Sequence, residues 1–325
     1  MGVDIHTPTA VLLMAYGSPD SLDEMEAYLL DVRGGRPTSP ALVEEIQHRY
    51  AQIGGRSPLL ELTRRQATAL EAELNRRSQG ERAPFRAFVG MRHWQPRIAQ
   101  AVAEISAAGY QQVVALVMAP HSSRMSTGMY YTRLEEAITE QQLELQFVPI
   151  TSWHDHPGLI AVIASQVRQA LSRFEGVTPY IVFTAHSLPQ RILQQGDTYD
   201  TQLRETAALV AAELDWPAGR WEFCYQSAGQ SAEPWLGPPI EQVIIRLADS
   251  GERNLLIVPV GFVCDHVEVL YDIDIVARKL ASSYRVHLER SASLNDNPLF
   301  ITALADLVQH TLHNIPHTPA LQGAG

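Results

Sequence analysis

Val11-Leu-Leu-Met-Ala-Tyr16 near the start of the chain and Ile181-Val-Phe-Thr-Ala-His186 in its second half decide the fold. Each is an apolar run without polar alternation, closed by a ring that can hydrogen-bond. Unbroken apolar runs of this kind belong to strands buried on both faces, as in a parallel sheet covered by helices. The similarity continues downstream. Ile98, Val102, Ile105 and Gly109 share their spacing with Ile240, Ile244, Leu247 and Gly251, and each set leads into a further apolar run, 113–117 or 255–259. The plain explanation is that any two βα units look alike. The stronger one is a duplication, which predicts two similar doubly wound α/β halves whose strand ends face a shared cleft, where open α/β sheets bind ligands. Tyr16 and His186 then occupy equivalent strand ends, one from each half.

The remaining pattern fills in around these runs. Strands are expected at 11–15, 85–89, 113–118, 146–150, 180–184, 221–225, 255–260 and 284–288. Helices are expected at 22–31, 40–50, 63–77, 97–107, 135–141, 157–173, 201–214, 239–250, 267–282 and 298–314. Pro40 and Pro298 suit the first turn of a helix, with Ser39 and Asn297 as caps. The chain divides into an N-terminal Rossmann-like lobe, 8–155, and a C-terminal one, 156–296, with the last helix, 297–314, packing on the first lobe. The Pro/Gly-rich segment 315–325 reads as a frayed tail.

Composition sets the outer limits. The chain has 325 residues, 46% hydrophobic and 19% charged, which excludes disordered and collagen-like classes. A net charge of -11 argues against nucleic acid as a partner. Cys224 and Cys264 belong to no C-x-x-C pair, so neither structural zinc nor a cysteine-ligated iron–sulfur cluster is expected, and both read as buried thiols. Residues 1–10 carry no Lys or Arg and no apolar core, unlike a signal peptide. No apolar run approaches the ~18–20 residues of a membrane span. A cytoplasmic protein without transmembrane segment is the expectation. Isolated glycine pairs at 34–35 and 54–55 form no phosphate loop.

Three elements could carry chemistry. His186 ends an apolar strand, which places it at a cleft. The stretch Gly261-Phe-Val-Cys-Asp265-His266-Val-Glu268-Val-Leu-Tyr271-Asp272 also follows an apolar strand, and its Asp265, Glu268 and Asp272 share one face if wound as an α-helix. Either water solvates these carboxylates or a cation sits among them. Imidazole with carboxylate suits a borderline divalent metal such as Fe²⁺, with one or two of His186, Asp265, Glu268 and Asp272 as its ligands. So few ligands suit a site that holds a metal briefly. The third element is 33–65, with six arginines (33, 36, 49, 56, 64, 65) against three acids. It reads either as solvated helix faces or as a carboxylate-binding rim. Of the 25 basic residues only Lys279 is lysine, so any such rim is built of arginine. Tyr16, Trp94, Tyr130, Tyr131 and Trp235 are core residues or ligand platforms.

Together these segments resemble the ferrochelatase family, which inserts Fe²⁺ into porphyrins in haem synthesis. The motifs that carry the resemblance are Thr184-Ala-His186-Ser-Leu-Pro with Gly196-Asp-Thr-Tyr199, Tyr225-Gln-Ser227 with Pro234-Trp235-Leu-Gly-Pro, and Val260-Gly-Phe-Val-Cys-Asp265-His266-Val-Glu268-Val-Leu-Tyr271. The resemblance implies a chelatase-type fold of two Rossmann-like lobes around a porphyrin cleft. It puts the catalytic pair on His186 and Glu268 and porphyrin contacts on Tyr16, Arg33, Arg49, Ser57, His93, Tyr130 and Trp235. The start Met14-Ala-Tyr16-Gly resembles the type that uses coproporphyrin III and yields coproheme; protoporphyrin IX is the alternative substrate, and a tetrapyrrole or haem carrier the non-enzymatic one. Fe²⁺ is then a substrate, with no cofactor required and no iron–sulfur cluster. A downstream haem-pathway enzyme is an implied partner, and a chain that supplies both cleft walls is expected as a monomer. Two departures stand out. Val276 interrupts an acidic stripe that some relatives continue, and Gly34 stands where some carry another arginine.

Overall fold

A computed structural model of the chain describes residues 8–78, 84–229, 231 and 233–314. The expected tail at 315–325 lies outside the described residues. Among them, strands β1 (Thr9–Ala15), β2 (Phe85–Met91), β3 (Gln112–Val117) and β4 (Gln146–Ile150) form one sheet in the order β2-β1-β3-β4. Strands β5 (Tyr180–His186), β6 (Trp221–Gln226), β7 (Asn254–Val258) and β8 (His287–Arg290) form a second in the order β6-β5-β7-β8. Every pairing is parallel, and the two orders are the same. The duplication read from the two apolar runs is therefore present in the topology: β1 and β5 each lie inside their sheet at the same place.

Both faces of these strands are buried, which is why their sequences do not alternate. In β1, Val11, Leu13 and Ala15 face a core cluster that also holds Ile181 and Phe183 of β5. Ala10, Leu12 and Met14 face a second cluster under α4 (Ile98–Ala107) and α5 (Thr127–Glu140). The counterpart beyond the second sheet gathers Val182, Leu255 and Ile257 under α8 (Ile240–Asp249). The shared cluster draws in α3 (Leu59–Ser78), α6 (Pro157–Leu171), α7 (Tyr199–Glu213) and α11 (Pro298–His313). Helix α11 packs on α3, α6 and β4. A smaller cluster of Met25, Tyr28, Leu29 and Tyr50 holds α1 (Met25–Val32) to α2 (Pro40–Gln52).

The expected caps form: Ser39 Oγ accepts from Leu42 N at 3.4 Å, and Asn297 Oδ1 from Leu299 N at 2.9 Å. Several elements differ from the sequence expectation; α3, for one, begins at Leu59 rather than 63. Helix α5 begins at Thr127 rather than 135, because Gly128 and its Ser/Thr neighbours are wound into the first turn instead of forming a loop. Strand β8 begins at His287 rather than 284, because Arg285 takes a left-handed φ of 57° in the turn before it. The helix expected over 267–282 is three pieces: α9 (Val267–Leu270), a π-helical segment (Asp272–Ala277) and α10 (Arg278–Ser283). Hydrophobic spacing registers helix over such a stretch but not the change of winding.

Candidate active site

The carboxyl ends of β1 and β5 open on a common cavity of about 310 Å³. Tyr16, Ser57, Arg92 and Tyr130 line it from the first half of the chain, and His186 and Glu268 from the second. Two glycines make this convergence possible. Gly17, just past β1, takes a left-handed φ of +93°, and a Cβ there would lie 2.9 Å from Trp94 N. Gly261 passes so close to the end of β5 that a Cβ would lie 2.4 Å from Ala185 Cβ.

His186 is held from several sides. The Tyr199 hydroxyl donates to its carbonyl at 2.9 Å, and Ser187 is pinned through its amide to Gln226 O (2.8 Å) and its hydroxyl to Leu236 O (2.8 Å). The His186 Nδ1–H donates to the Ser187 carbonyl. Nε2 is then the nitrogen left to exchange a proton, and it lies 3.5 Å from Glu268 Oε1. Glu268 sits in the first turn of α9, its carbonyl accepting from Gln226 Nε2 at 2.7 Å. Its second oxygen, Oε2, is 3.4 Å from His266 Nε2, and His266 Nδ1 faces Cys264 O at 3.1 Å. Burial by itself raises the Glu268 carboxyl. The His186 charge and the His266 hydrogen bond outweigh it and hold the group below the usual carboxylate range. Burial likewise favours neutral His266, but the Glu268 hydrogen bond and charge win and raise it. The result is a row of three groups, His186–Glu268–His266, able to pass protons.

The acidic stripe is not built as the spacing predicts. α9 starts only at Val267, and Asp265, ahead of it, accepts from Ser293 Oγ (2.7 Å) and Asn295 Nδ2 (2.9 Å) and lies 3.3 Å from Arg290. Asp272 belongs to the π-helical segment and accepts from Ser227 Oγ. The three carboxylates therefore do not share one α-helical face. Among the described residues no three His, Cys, Asp or Glu side chains are grouped to hold a metal ion. His186 and Glu268 form a two-residue pair, and Asp272 does not complete it as a third ligand. Burial raises the Asp272 carboxyl to about 6, against the opposing Ser227 hydrogen bond.

The expected porphyrin contacts divide. Tyr16 is 41% exposed at the cavity, and enclosure by the cleft walls, with the Glu268 charge, raises its phenol to about 12. Ser57 and Tyr130 are buried in the cavity wall. His93 stands behind Tyr16, ring centroids 4.6 Å apart, with Nδ1 2.8 Å from Asp31; burial lowers its imidazole to about 4, so it is neutral at physiological pH. Trp235 presents its ring to His186 at 6.4 Å while its Nε1–H donates to Ser231 Oγ at 3.0 Å. Arg33 and Arg49 are not in the cavity wall. Arg33 is exposed at the end of α1. Arg49 pairs with Glu45 and lies 5.7 Å over the Tyr271 ring. None of the arginines of 33–65 is in this cavity's wall: Arg33 closes α1, Arg49 lies on α2, and Arg56, Arg64 and Arg65 line a separate groove with Ser57 and Asp296. Arg92 escapes the sequence reading, and Tyr199 enters it only as part of a motif, without a role. Arg92 follows β2 directly, so the strand-end position that singles out Tyr16 and His186 could have found it. Cys224 and Cys264 are both buried free thiols, as expected.

One family pattern, ferrochelatase, matches residues 8–312. The chain belongs to the ferrochelatase family. It is 42% identical over 305 residues to the ferrochelatase of Deinococcus radiodurans, covering 93% of this chain and 95% of that one. It is 37% identical over 302 residues to the coproporphyrin III ferrochelatase of Geobacillus kaustophilus, covering 92% and 94%. Among solved structures, SirB from Bacillus subtilis with Fe³⁺ has the same fold, with a TM-score of 0.56 at 11% identity over 95% of this chain and 97% of that one. The chain is therefore an enzyme, a metal chelatase that inserts iron into a porphyrin. Among the described residues no helix is long and apolar enough to cross a membrane.

Proposed function

We propose that the protein inserts Fe²⁺ into coproporphyrin III to give coproheme in haem biosynthesis. The observation that carries the reading is the His186–Glu268 pair, 3.5 Å apart in the wall of a cavity that Tyr16 lines from the other half. A relative named for coproporphyrin III lends support. The porphyrin lies between Tyr16 on one face and His186 with Glu268 on the other. Tyr130, Ser57, Trp235 and His93 shape its surroundings.

Metalation requires a puckered ring, loss of two pyrrole protons and stepwise dehydration of the iron. Binding energy from the ring's remote carboxylates and aromatic walls can hold the puckered form. His186 Nε2 accepts a pyrrole proton and is oriented for it by the Ser187 carbonyl on Nδ1. Glu268, held below the usual carboxylate range, stabilises the resulting imidazolium, and shares the incoming iron or takes the second pyrrole proton. His266 and Asp272 give protons a way outward, Asp272 because its carboxyl titrates at about 6. Tyr16 meets the ring from the opposite face and influences release of product. The enzyme works as a cytoplasmic monomer with lobes 8–155 and 156–296, needs no resident cofactor, and hands its product to a downstream haem-pathway enzyme.

A second reading, protoporphyrin IX as substrate, is favoured by one observation. Arg33 and Arg49, the expected anchors for extra carboxylates, are not in the cavity wall. An anaerobic assay offering Fe²⁺ with coproporphyrin III or protoporphyrin IX separates the two. The expected result is a kcat/KM higher for coproporphyrin III by about tenfold or more, the discrimination of one or two charge-assisted contacts. A higher value for protoporphyrin IX overturns the substrate assignment.

A further inference from the structure

Arg92 is the only arginine or lysine among the described residues lining the cavity. Its main chain is fixed there: the Arg92 amide donates to Ala15 O, and that of His93 to Tyr16 O, both at 2.9 Å. Its guanidinium lies 5.5 Å from the centroid of the Tyr130 ring. Among the described residues no carboxylate comes within 4.0 Å of it. Arg97, five residues on, is by contrast paired with Asp31 at 2.7 Å. Arg92 is half-buried, so part of its hydration is already lost while no counterion replaces it.

We propose that Arg92 anchors a carboxylate side chain of the porphyrin and is a specificity-determining residue for carboxylated rings. This rests on the proposed insertion of iron into a porphyrin. A guanidinium held over an aromatic ring keeps its fork of N–H donors ordered, so a carboxylate can be bound bidentately at little cost in side-chain entropy. The position also suits the ring. Arg92 acts on the hydroxyls of Tyr16 and Tyr130 and on the His93 imidazole, all groups around the porphyrin site. The contact would take up the work expected of Arg33 and Arg49.

The test measures porphyrin binding by fluorescence quenching, without iron, for wild type, Arg92→Met and Arg92→Lys. The probes are coproporphyrin III and its tetramethyl ester in the same detergent. Arg92→Met should weaken binding of the acid about tenfold to hundredfold, the worth of a hydrogen-bonded charge pair, and leave the ester as in wild type. Arg92→Lys should keep a large part of the affinity for the acid. Equal losses for acid and ester would mean that Arg92 only supports Tyr130, and no loss for either would mean no contact; both overturn the proposal. The substrate assignment fails separately, if wild type metalates protoporphyrin IX and not coproporphyrin III. Protoporphyrin IX and its dimethyl ester then carry the same comparison at Arg92. Unfolding curves of all three proteins exclude a folding defect as the source of any loss.

Discussion

Asp272 is the residue whose charge the fold governs most plainly, since burial lifts its carboxyl to about 6. The folded protein binds this proton more tightly than the unfolded chain. The associated stability is therefore complete below the ordinary aspartate range and is lost as pH rises through about 6. Asp272→Asn, which can still accept from Ser227, should stabilise the protein at pH 8 by about 1–2 kcal/mol and give almost no gain at pH 4. Urea unfolding at the two pH values reads this directly, and equal gains would rule out burial of the charge as the cause. Glu268→Gln keeps the side-chain shape and removes the charge. It should lower kcat by about 10²-fold or more and alter the dependence on Fe²⁺ while porphyrin still binds; an unchanged iron dependence would exclude Glu268 from the metal path. His186 was legible in the sequence at the end of an unbroken apolar strand, and Glu268 stood out from its neighbouring carboxylates through the family motif. Arg92 has the same position, but the dense arginines of 33–65 drew the carboxylate reading to themselves. Charge density along a sequence does not say which face of a helix bears it.

At the scale of elements, the close approach of Gly261 to β5 makes His186's position depend on a residue without a side chain. Gly261→Ala forces a Cβ to within 2.4 Å of Ala185 Cβ, and overpacking of this kind costs about 1–3 kcal/mol. Chemical denaturation should show that loss, together with reduced turnover from a displaced His186. The π-helical segment is fixed by Arg290, which donates from both Nε and Nη2 to Asp274 at 2.8 Å and also lies 3.3 Å from Asp265. One guanidinium thus ties down residues on both sides of Glu268. Arg290→Met leaves two partly buried carboxylates without their cation and should destabilise by about 3–5 kcal/mol; a loss under about 1 kcal/mol would mean that solvent or relaxation compensates. Strand and helix order was readable from apolar runs and helical spacing. The π winding, the early start of α5 and the late start of β8 were not, because they depend on local backbone choices that tertiary contacts select.

At the scale of the whole molecule, one core cluster joins the inner faces of the two sheets through α3, α6, α7 and α11. The lobes share buried surface, so heat or denaturant should unfold them in one cooperative transition, with far-UV and near-UV signals coincident. Two separated transitions would mean that the shared core contributes little. Helix α11 brings Phe300 into stacking contact with Trp153 at 6.0 Å and buries Leu304 and Val308, so the core extends to the end of the described chain. The duplication was legible because Tyr16 and His186 close equivalent strands. The cleft they form was then a matter of topology, and its lining was not, since that depends on α1, α2 and the segment after β2. The account centres on His186 as the group that takes the pyrrole proton. The decisive measurement is an anaerobic assay of wild type and His186→Ala with Fe²⁺ and coproporphyrin III, followed by loss of porphyrin fluorescence, beside a binding titration without iron. The account predicts a fall in kcat of about 10²–10⁴-fold with porphyrin affinity retained; near-normal turnover by His186→Ala would contradict it.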